Sequence, residues 1–359
     1  MKPIAVIPGD GIGPDVINEA LRALHSLEEV FATRVPLEIF DYGAERWLRE
    51  KVGLPPGAME DLRKNYSAIF LGALGDPRIP DMAHGREILL GLRFGLDLYI
   101  NYRPIKLLRE DLCPLKNCRL EDLDFTVMRE NTEGAYVGMG GIFKKGTPDE
   151  VAIQEDVNTR KGVERIIRYA FEYAKRTGAR TVTMADKSNA LGFGHDLWQR
   201  AFWEVAAEYP GIEAEHFFID ALTMQIVKNP ARFKVIVTCN MFGDIVTDLG
   251  AQLQGGLGMA ASGNINPEGV CLFEPVHGSA PKYAGKNVSN PFGAILTLEL
   301  MLEHLGMAAW SRLLHAAVMS ALDEKATTRD IGGKLGTTEV GDYICGKIKA
   351  SCSIESLNR

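Results

Sequence analysis

The feature that most constrains the fold of this chain is an alternation of short apolar runs with longer segments of helical periodicity. The clearest helical segment is Lys161 to Lys175, where apolar residues recur at offsets of 3, 4, 7, 8 and 11 positions and so share one face. This alternation predicts an α/β fold. The runs that predict strands are Ile4 to Ile7, Ala68 to Leu71, Phe125 to Met128, Thr181 to Met184 and Val235 to Thr238.

Length and charge narrow the class of protein. A chain of 359 residues exceeds one core of ordinary size, so two lobes or one large α/β unit are expected. Lys and Arg number 40 against 47 acidic residues, a net charge of -7, which argues against a nucleic-acid or membrane partner. No apolar stretch reaches the roughly 20 residues that cross a bilayer and no signal-peptide pattern is present, so we expect a cytoplasmic protein. The six cysteines form no C-x-x-C pair and are expected to be free thiols.

Two glycine-rich stretches predict turns. Gly9, Gly11 and Gly13 follow the first predicted strand, but their spacing differs from the dinucleotide-binding pattern G-x-G-x-x-G. A plain strand-to-helix turn and a contact with a cofactor phosphate both remain open for this segment. The stretch from Gly138 to Thr147 predicts an irregular arm or turn.

Asp244 and Asp248 are four residues apart in a segment with helical periodicity, so their carboxylates should share one face of a helix. Adjacent anions repel unless a cation joins them, and oxygen ligands without His or Cys suit Mg²⁺ or Mn²⁺. The alternative is a solvated acidic helix face.

Five further residues have side chains suited to an acidic substrate. Arg93, Arg103 and Arg129 each lie beside an apolar pattern, and a guanidinium group binds a carboxylate through two hydrogen bonds. Tyr136 and Lys187 can transfer protons if burial or neighbouring cations lower their pKa. Structural salt bridges, a core tyrosine and a surface lysine are the alternatives.

Six sequence blocks, taken together, resemble the β-decarboxylating dehydrogenases, a family that includes isopropylmalate, isocitrate and tartrate/D-malate dehydrogenases. The blocks occur in that family's order, and the resemblance spans Ile4 to about Ile344. They read GDGIGPDV, LRFGLDLYINYRP, RENTEGAYVG, DKSNAL, MFGDIVTDL and EPVHGSAPKYAGKNVSNP.

The resemblance implies an α/β fold of the isocitrate/isopropylmalate dehydrogenase type, with two lobes and a central mixed sheet, unlike the Rossmann fold. A cofactor-binding lobe would comprise residues 1–100 and 255–359, and residues 101–254 would form a lobe for substrate binding and dimerisation. Members of the family are homodimers or larger assemblies with shared active sites. The expected partners are a small 2-hydroxy acid and a second copy of the chain.

Carried over by position, the resemblance also implies residue roles. Arg93, Arg103 and Arg129 would bind the substrate carboxylates. Lys187 of a neighbouring subunit would take the hydroxyl proton, and Tyr136 would return a proton after decarboxylation. The divalent metal, Mg²⁺ or Mn²⁺, would be held by Asp244, Asp248 and the neighbour's Asp220, which counts among the catalytic residues.

The cofactor, NAD or NADP, would lie along the segment from Glu274 to Asn290. NAD-using relatives usually carry an acidic residue where this chain has Lys282, so NADP use is plausible and the preference stays open. The residues that would contact the cofactor are Glu274, His277, Gly278, Ala280, Lys282, Tyr283 and Asn290.

Leu89 and Leu90, just before Arg93, favour 3-isopropylmalate as the substrate, because an apolar pair suits an isopropyl group and leaves a third carboxylate unpaired. The product would be 2-oxoisocaproate, in leucine biosynthesis. Arg86 and Glu87 differ from the usual isopropylmalate arrangement, and RENTEG with Asn131 is more similar to the tartrate/D-malate and isocitrate branches. D-malate or tartrate is therefore the main alternative, with isocitrate or homoisocitrate less favoured. A regulatory subunit without activity is the alternative outside enzymes.

Overall fold

The computed structural model of the protein describes the backbone of residues 1–357 and the side chains of residues 1–350. The chain divides into two compact units. The first comprises Met1–Leu98, Leu107–Lys116 and Ala251–Arg359, and the second comprises Tyr99–Lys106 and Asn117–Gly250. The assignment of cofactor binding to one lobe, and of substrate binding and dimerisation to the other, stays a prediction.

The strands of the described chain are short, and most are buried. The five runs that predicted strands all form them, with extensions of one to three residues in two cases. In chain order the strands are β1 (Ile4–Ile7), β2 (Leu37–Ile39), β3 (Ala68–Leu71), β4 (Ile100–Lys106), β5 (Asp124–Glu130), β6 (Gly140–Phe143), β7 (Val151–Gln154), β8 (Thr181–Asp186), β9 (Glu213–Phe218), β10 (Val235–Thr238), β11 (Ala261–Ile265) and β12 (Cys271–Pro275).

Helices alternate with these strands, which confirms the predicted α/β class. A π-helical turn, Arg86–Leu90, separates two very short helices. The helices are α1 (Gly13–Phe31), α2 (Ala44–Glu50), α3 (Ala58–Asn65), α4 (Ala83–Gly85), α5 (Gly91–Gly95), α6 (Arg160–Thr177), α7 (Gly194–Ala206), α8 (Ile219–Lys228), α9 (Asn240–Leu253), α10 (Phe292–His304), α11 (Ala308–Asp323) and α12 (Thr337–Leu357).

Each unit contains a mixed set of strands. In the first unit the order is β2-β1-β3-β12-β11, with β11 antiparallel to β12 and the other pairs parallel. In the second the order is β4-β5-β10-β8-β9, with β4 antiparallel to β5 and the other pairs parallel. Parallel strands end at a common edge, so the residues that follow them are brought together there.

The helix predicted over Lys161 to Lys175 is α6, and its sequence explains both of its ends. The Thr159 hydroxyl accepts a hydrogen bond from the Gly162 amide at the start, and Gly178 adopts a left-handed conformation, with φ 75°, at the end. The predicted apolar face is buried and packs on β5, β8 and β10. Each fully buried side chain of this kind contributes about 1.5–3 kcal/mol, so packing stabilises the helix.

The stretch from Gly138 to Thr147 departs from the prediction of an irregular arm or turn. Part of it is regular, because Gly140–Phe143 pairs as β6 with β7 in an antiparallel hairpin. Ile142 and Phe143 are exposed in this hairpin. The strand buries no apolar face, and its sequence therefore lacks the apolar pattern from which a buried strand is predicted.

Cysteines 113, 118, 239, 271 and 345 are free thiols, and Cys352 lies outside the side chains that are described. No helix within residues 1–357 is both long enough and apolar enough to cross a membrane.

The first glycine turn is built for close contact between backbones. Gly11 has a left-handed φ of 58°, and a Cβ atom on it would lie 2.1 Å from the Ser279 carbonyl oxygen. The next amide, of Ile12, donates a hydrogen bond of 2.8 Å to that oxygen. The turn therefore holds the start of α1 against a residue of the predicted cofactor segment.

We predict that Gly11→Ala destabilises the protein by roughly 3 kcal/mol or more, because it combines backbone strain with overlap of backbone atoms. Gly57→Ala is the matched control, since Gly57 also has a positive φ, 86°, but open space around its Cβ position. That variant should lose only roughly 1 kcal/mol. Urea unfolding followed by circular dichroism measures both, and equal losses would contradict the role given to the Ser279 contact.

Candidate active site

Arg129 and Asp244 form the centre of the candidate site in the second unit. Arg129 lies near the end of β5 and is 1% exposed. Its Nε and Nη2 atoms donate to Asn240 Oδ1 at 3.1 and 2.8 Å, and its Nη1 atom pairs with Asp244 Oδ1. A buried charge needs partners of this kind, and here α9 supplies both of them.

Arg103 reaches the same carboxylate from β4. Its Nη2 atom lies 3.7 Å from Asp244 Oδ1, while Nη1 donates to Thr247 Oγ1 at 3.0 Å and Nε donates to Asn101 Oδ1 at 2.8 Å. Asn101 Nδ2 in turn donates to Asn131 Oδ1 at 3.1 Å. The guanidinium plane is therefore fixed from several sides before any ligand binds.

Tyr136 is the third predicted residue at this carboxylate. It lies in a 3₁₀ turn, Ala135–Val137, and its hydroxyl donates to Asp244 Oδ2 at 3.1 Å. The guanidinium carbon of Arg129 is 5.4 Å from the centre of its ring. Asp244 thus brings together two predicted carboxylate-binding arginines and the predicted proton donor.

Asp248 follows one helical turn after Asp244 on α9, as the spacing predicted. Partial burial and the negative charge of Asp244 raise the pKa of the Asp248 carboxyl. Its side chain makes no hydrogen bond or ion pair within the described chain. A carboxylate with these properties fits a bound cation, which would neutralise the repulsion.

Two aspartates alone do not make a complete metal site. Among the residues that the structure describes, no cluster of three or more His, Cys, Asp or Glu side chains is arranged to hold a metal. Asp244 and Asp248 would therefore need donors from a ligand, from water or from another chain.

Lys187 and Asp220, both assigned by resemblance to a neighbouring subunit's contribution, form a pair of their own. Lys187 is the first residue after β8, as expected, and its Nζ atom donates to Asp220 Oδ1 at 2.5 Å. This hydrogen bond lowers the pKa of Asp220. Asp220 stands in the first turn of α8 and is exposed, so the pair is open to a ligand or to another chain.

Arg93, the remaining predicted carboxylate ligand, lies in the first unit and pairs with Glu274. Its Nη2 atom donates to Glu274 Oε1 at 3.0 Å, and Asn264 Nδ2 donates to the same oxygen at 2.8 Å. The Nε atom of Arg93 is buried without a hydrogen-bond partner. Glu274, predicted to line the cofactor, therefore orients Arg93, which keeps an unused donor.

Leu89 and Leu90 end the π-helical turn that leads into α5 and Arg93. Both are half-buried, and Leu89 packs against an apolar core cluster. The carboxylate of Glu87 accepts hydrogen bonds from the amides of Gly53 and Leu54, which anchors the turn to a neighbouring loop. π-Helical turns are rare and occur frequently at functional sites.

The predicted cofactor segment contains one buried side-chain polar atom that has no hydrogen-bond partner among the described residues. His277 is buried, burial lowers its pKa, and its Nε2 atom has no hydrogen-bond partner among the described residues. Asn290 has a structural task, because its Oδ1 atom accepts from the amide of Phe292 at the start of α10 and its Nδ2 atom donates to Asp330. The free Nε2 atom fits a polar ligand such as a nucleotide.

The middle of this segment is exposed. Ala280 has a left-handed φ of 36°, and a Cβ atom added to Gly278 would meet nothing within 4 Å. The Lys282 Nζ atom lies 4.7 Å from the centre of the Tyr283 ring and forms no ion pair in the described chain. The lysine charge is therefore available to an anionic ligand.

Three uncharged residues that orient the arginines were not predicted from the sequence: Asn101, Thr247 and Asn240. Each carried a usable signal, because each shares a face with a predicted site residue. Asn101 precedes Arg103 by two positions on a strand, Asn240 precedes Asp244 by four on a helix, and Thr247 follows Asp244 by three on the same helix.

Comparison with known proteins places this chain in a family. The sequence pattern described as isocitrate/isopropylmalate dehydrogenase matches residues 3–344. The chain belongs to this family. The resemblance stated from the six sequence blocks, and the fold that it implies, are thereby confirmed.

Individual relatives agree with this assignment. A protein of Thermobifida fusca named 3-isopropylmalate dehydrogenase is 47% identical over 347 residues, which cover 96% of this chain and 97% of the relative. One of Frankia casuarinae with the same name is 44% identical, covering 94% and 99%. The crystal structure of isocitrate dehydrogenase from Methylococcus capsulatus is 36% identical, with a TM-score of 0.88, covering 97% of this chain and 100% of that one.

We predict that Asp248→Asn weakens Mn²⁺ binding at least about tenfold. The substitution removes a charged oxygen donor, and it also removes the repulsion between the Asp244 and Asp248 carboxylates that a bound cation relieves. Asp196→Asn is the control, since this carboxylate pairs with Arg200 on α7 at 2.8 Å and has no predicted metal role. Isothermal titration with MnCl₂ measures both variants. Wild-type affinity in Asp248→Asn would contradict the assignment.

Proposed function

We propose that the protein catalyses the oxidative decarboxylation of 3-isopropylmalate to 2-oxoisocaproate, with NAD or NADP as the oxidant, in leucine biosynthesis. The observation that carries the proposal is the convergence of Arg103, Arg129 and Tyr136 on the Asp244 carboxylate. The relatives named 3-isopropylmalate dehydrogenase support the choice of substrate.

Substrate binding rests on the arginines. The guanidinium groups of Arg103 and Arg129 are held in fixed planes by amide and hydroxyl groups, so they can bind carboxylates without first losing side-chain freedom. The unpartnered Nε atom of Arg93 would donate a hydrogen bond to a further carboxylate oxygen.

Asp244 and Asp248, together with Asp220 of the partner subunit, would hold Mg²⁺ or Mn²⁺. A divalent cation bound there supplies a Lewis acid that polarises the C2 oxygen of a 2-hydroxy acid. Asp220 is exposed, and among the described residues no third acidic side chain completes a metal cluster with Asp244 and Asp248. Both observations support a site shared by two chains, and hence a homodimer as the active form.

Two residues of the chain would move the protons. The Nζ atom of the partner subunit's Lys187 would take the C2 hydroxyl proton, and NAD or NADP, when bound, would supply the oxidant for the hydride that leaves C2. The bond from C3 to the carboxylate then breaks, carbon dioxide leaves, and the bonding electrons form an enolate. The Tyr136 hydroxyl donates a proton to C3, which gives the 2-oxo acid.

Leu89 and Leu90 support an apolar substituent on the substrate, since each buried CH₂ contributes roughly 0.8 kcal/mol. Asn131 had favoured D-malate or tartrate in the sequence. Its side chain, however, is buried and hydrogen-bonded to Asn101 beneath Arg103, so it supports the recognition of a carboxylate that all these substrates share.

We predict that kcat/KM with Mg²⁺ or Mn²⁺ is highest for 3-isopropylmalate, when this acid, D-malate, tartrate and isocitrate are each tested with NAD and NADP. The apolar pair should give it an advantage of at least about tenfold. The absorbance of the reduced cofactor measures the rate. A higher kcat/KM for D-malate or tartrate would identify that acid as the substrate in place of 3-isopropylmalate. No turnover with any of the four acids would favour a regulatory subunit.

A preference for NADP is supported by the unpaired charge of Lys282 beside Tyr283. We predict that Lys282→Asp lowers the NADP to NAD ratio of kcat/KM by at least about tenfold, because a carboxylate repels the 2′-phosphate and accepts from the ribose hydroxyls. Lys286→Asp makes the same charge change four positions along this loop and should leave the ratio within about twofold. An unchanged ratio in Lys282→Asp would exclude Lys282 as a phosphate ligand.

A further inference from the structure

The backbone amide of Lys187 lies just beyond the pairing of its strand. The β8 ladder pairs with β10 up to Ala185 and with β9 up to Asp186. The Lys187 amide then donates to the Nδ1 atom of His195 at 3.0 Å. The His195 side chain, on α7, thus accepts the hydrogen bond that a neighbouring strand would otherwise accept from the Lys187 amide.

The His195 ring is placed to act as an acceptor. It is 1% exposed, and its centre lies 5.3 Å from that of the Phe242 ring. Burial lowers the pKa of His195, which keeps the ring neutral, while the charges of Asp186 and Asp156 act in the opposite direction. Because Nδ1 accepts a hydrogen bond, the ring hydrogen is on Nε2, which faces Asp156 Oδ2 at 3.8 Å.

Other contacts fix the peptide groups on either side of Lys187. Its carbonyl oxygen accepts from the amides of Ala190 and Leu191 at 2.9 and 2.8 Å. The buried carboxylate of Asp186 accepts from Gln199 Nε2 at 2.7 Å, four residues after His195 on the same face of α7. One helix face therefore holds both residues at the end of the strand.

We propose that His195 is a positioning residue for Lys187. The proposal rests on the proposed function, because the role of Lys187 as the base is part of it. Four rotatable bonds separate the Lys187 Nζ atom from the backbone. Nζ can therefore be held in one position relative to the substrate only if the backbone from which the side chain starts is itself held in place. A displacement of about 1 Å at a reacting group can lower a rate about 100-fold.

Two variants of similar shape separate the hydrogen bond from packing. His195→Asn places an amide oxygen near the position of Nδ1 and can accept from the Lys187 amide, whereas His195→Leu cannot. We predict that His195→Leu lowers kcat about 10- to 100-fold with the KM for 3-isopropylmalate within about twofold. His195→Asn should keep kcat within about threefold of wild type.

Hydrogen exchange at the Lys187 amide tests the contact without turnover. Exchange should be slow in the wild type and in His195→Asn, and at least about tenfold faster in His195→Leu, because only the latter leaves the amide without an acceptor. Circular dichroism and the melting temperature of each variant record any general loss of structure.

The outcomes distinguish the two proposals. If Lys187→Ala abolishes turnover but His195→Leu keeps the wild-type kcat, the positioning role is overturned while the proposed function stands. If His195→Asn loses as much activity as His195→Leu and exchanges as fast, packing replaces the hydrogen bond as the cause. If Lys187→Ala retains wild-type turnover, Lys187 is not the base and both the mechanism and the role of His195 are overturned.

Discussion

The candidate site depends on one buried charge, the guanidinium group of Arg129. A cation that is 1% exposed is stable only where anions and acceptors surround it, and Asp244 and Asn240 on α9 meet that need. The aliphatic part of the same side chain lies so close to α9 that a Cβ atom on Gly243 would come within 2.4 Å of its Cγ atom. This close approach sets the distance between β5 and α9, and it orients the carboxylate toward Tyr136 and Arg103.

Sequence periodicity was sufficient for five strands and for α6, because burial imposes regular spacing on strands and helices, but it did not predict the exposed hairpin of β6 and β7. Lys187 was correctly expected after a strand, and Asp248 one helical turn after Asp244. His195 could not be predicted in this way, because it contacts Lys187 through a ring on a separate helix. Such contacts depend on how elements pack, which local spacing does not encode. Asn101, by contrast, shares a strand face with Arg103 and could have been found from its spacing.

In the proposed function, different residues recognise what related substrates share and what distinguishes them. The arginines are fixed by amides and hydroxyl groups and would bind the malate part common to all the acids considered. The turn with Leu89 and Leu90 would distinguish an isopropyl group from a charged one. Such a division would explain how relatives named for different substrates, isopropylmalate and isocitrate, share one fold.

The contact between Gly11 and Ser279 joins an early part of the chain to a late one, which has a consequence for the order in which the chain folds. The first unit contains both ends of the sequence: β12 pairs with β3, and α12 packs on α1. During synthesis β3, which ends at Leu71, must therefore wait for its partner β12, which begins at Cys271. The strands of the second unit are complete by Thr238, so the middle of the chain can fold on the ribosome first. The exposed edge of β3 would meanwhile be the segment in need of a chaperone.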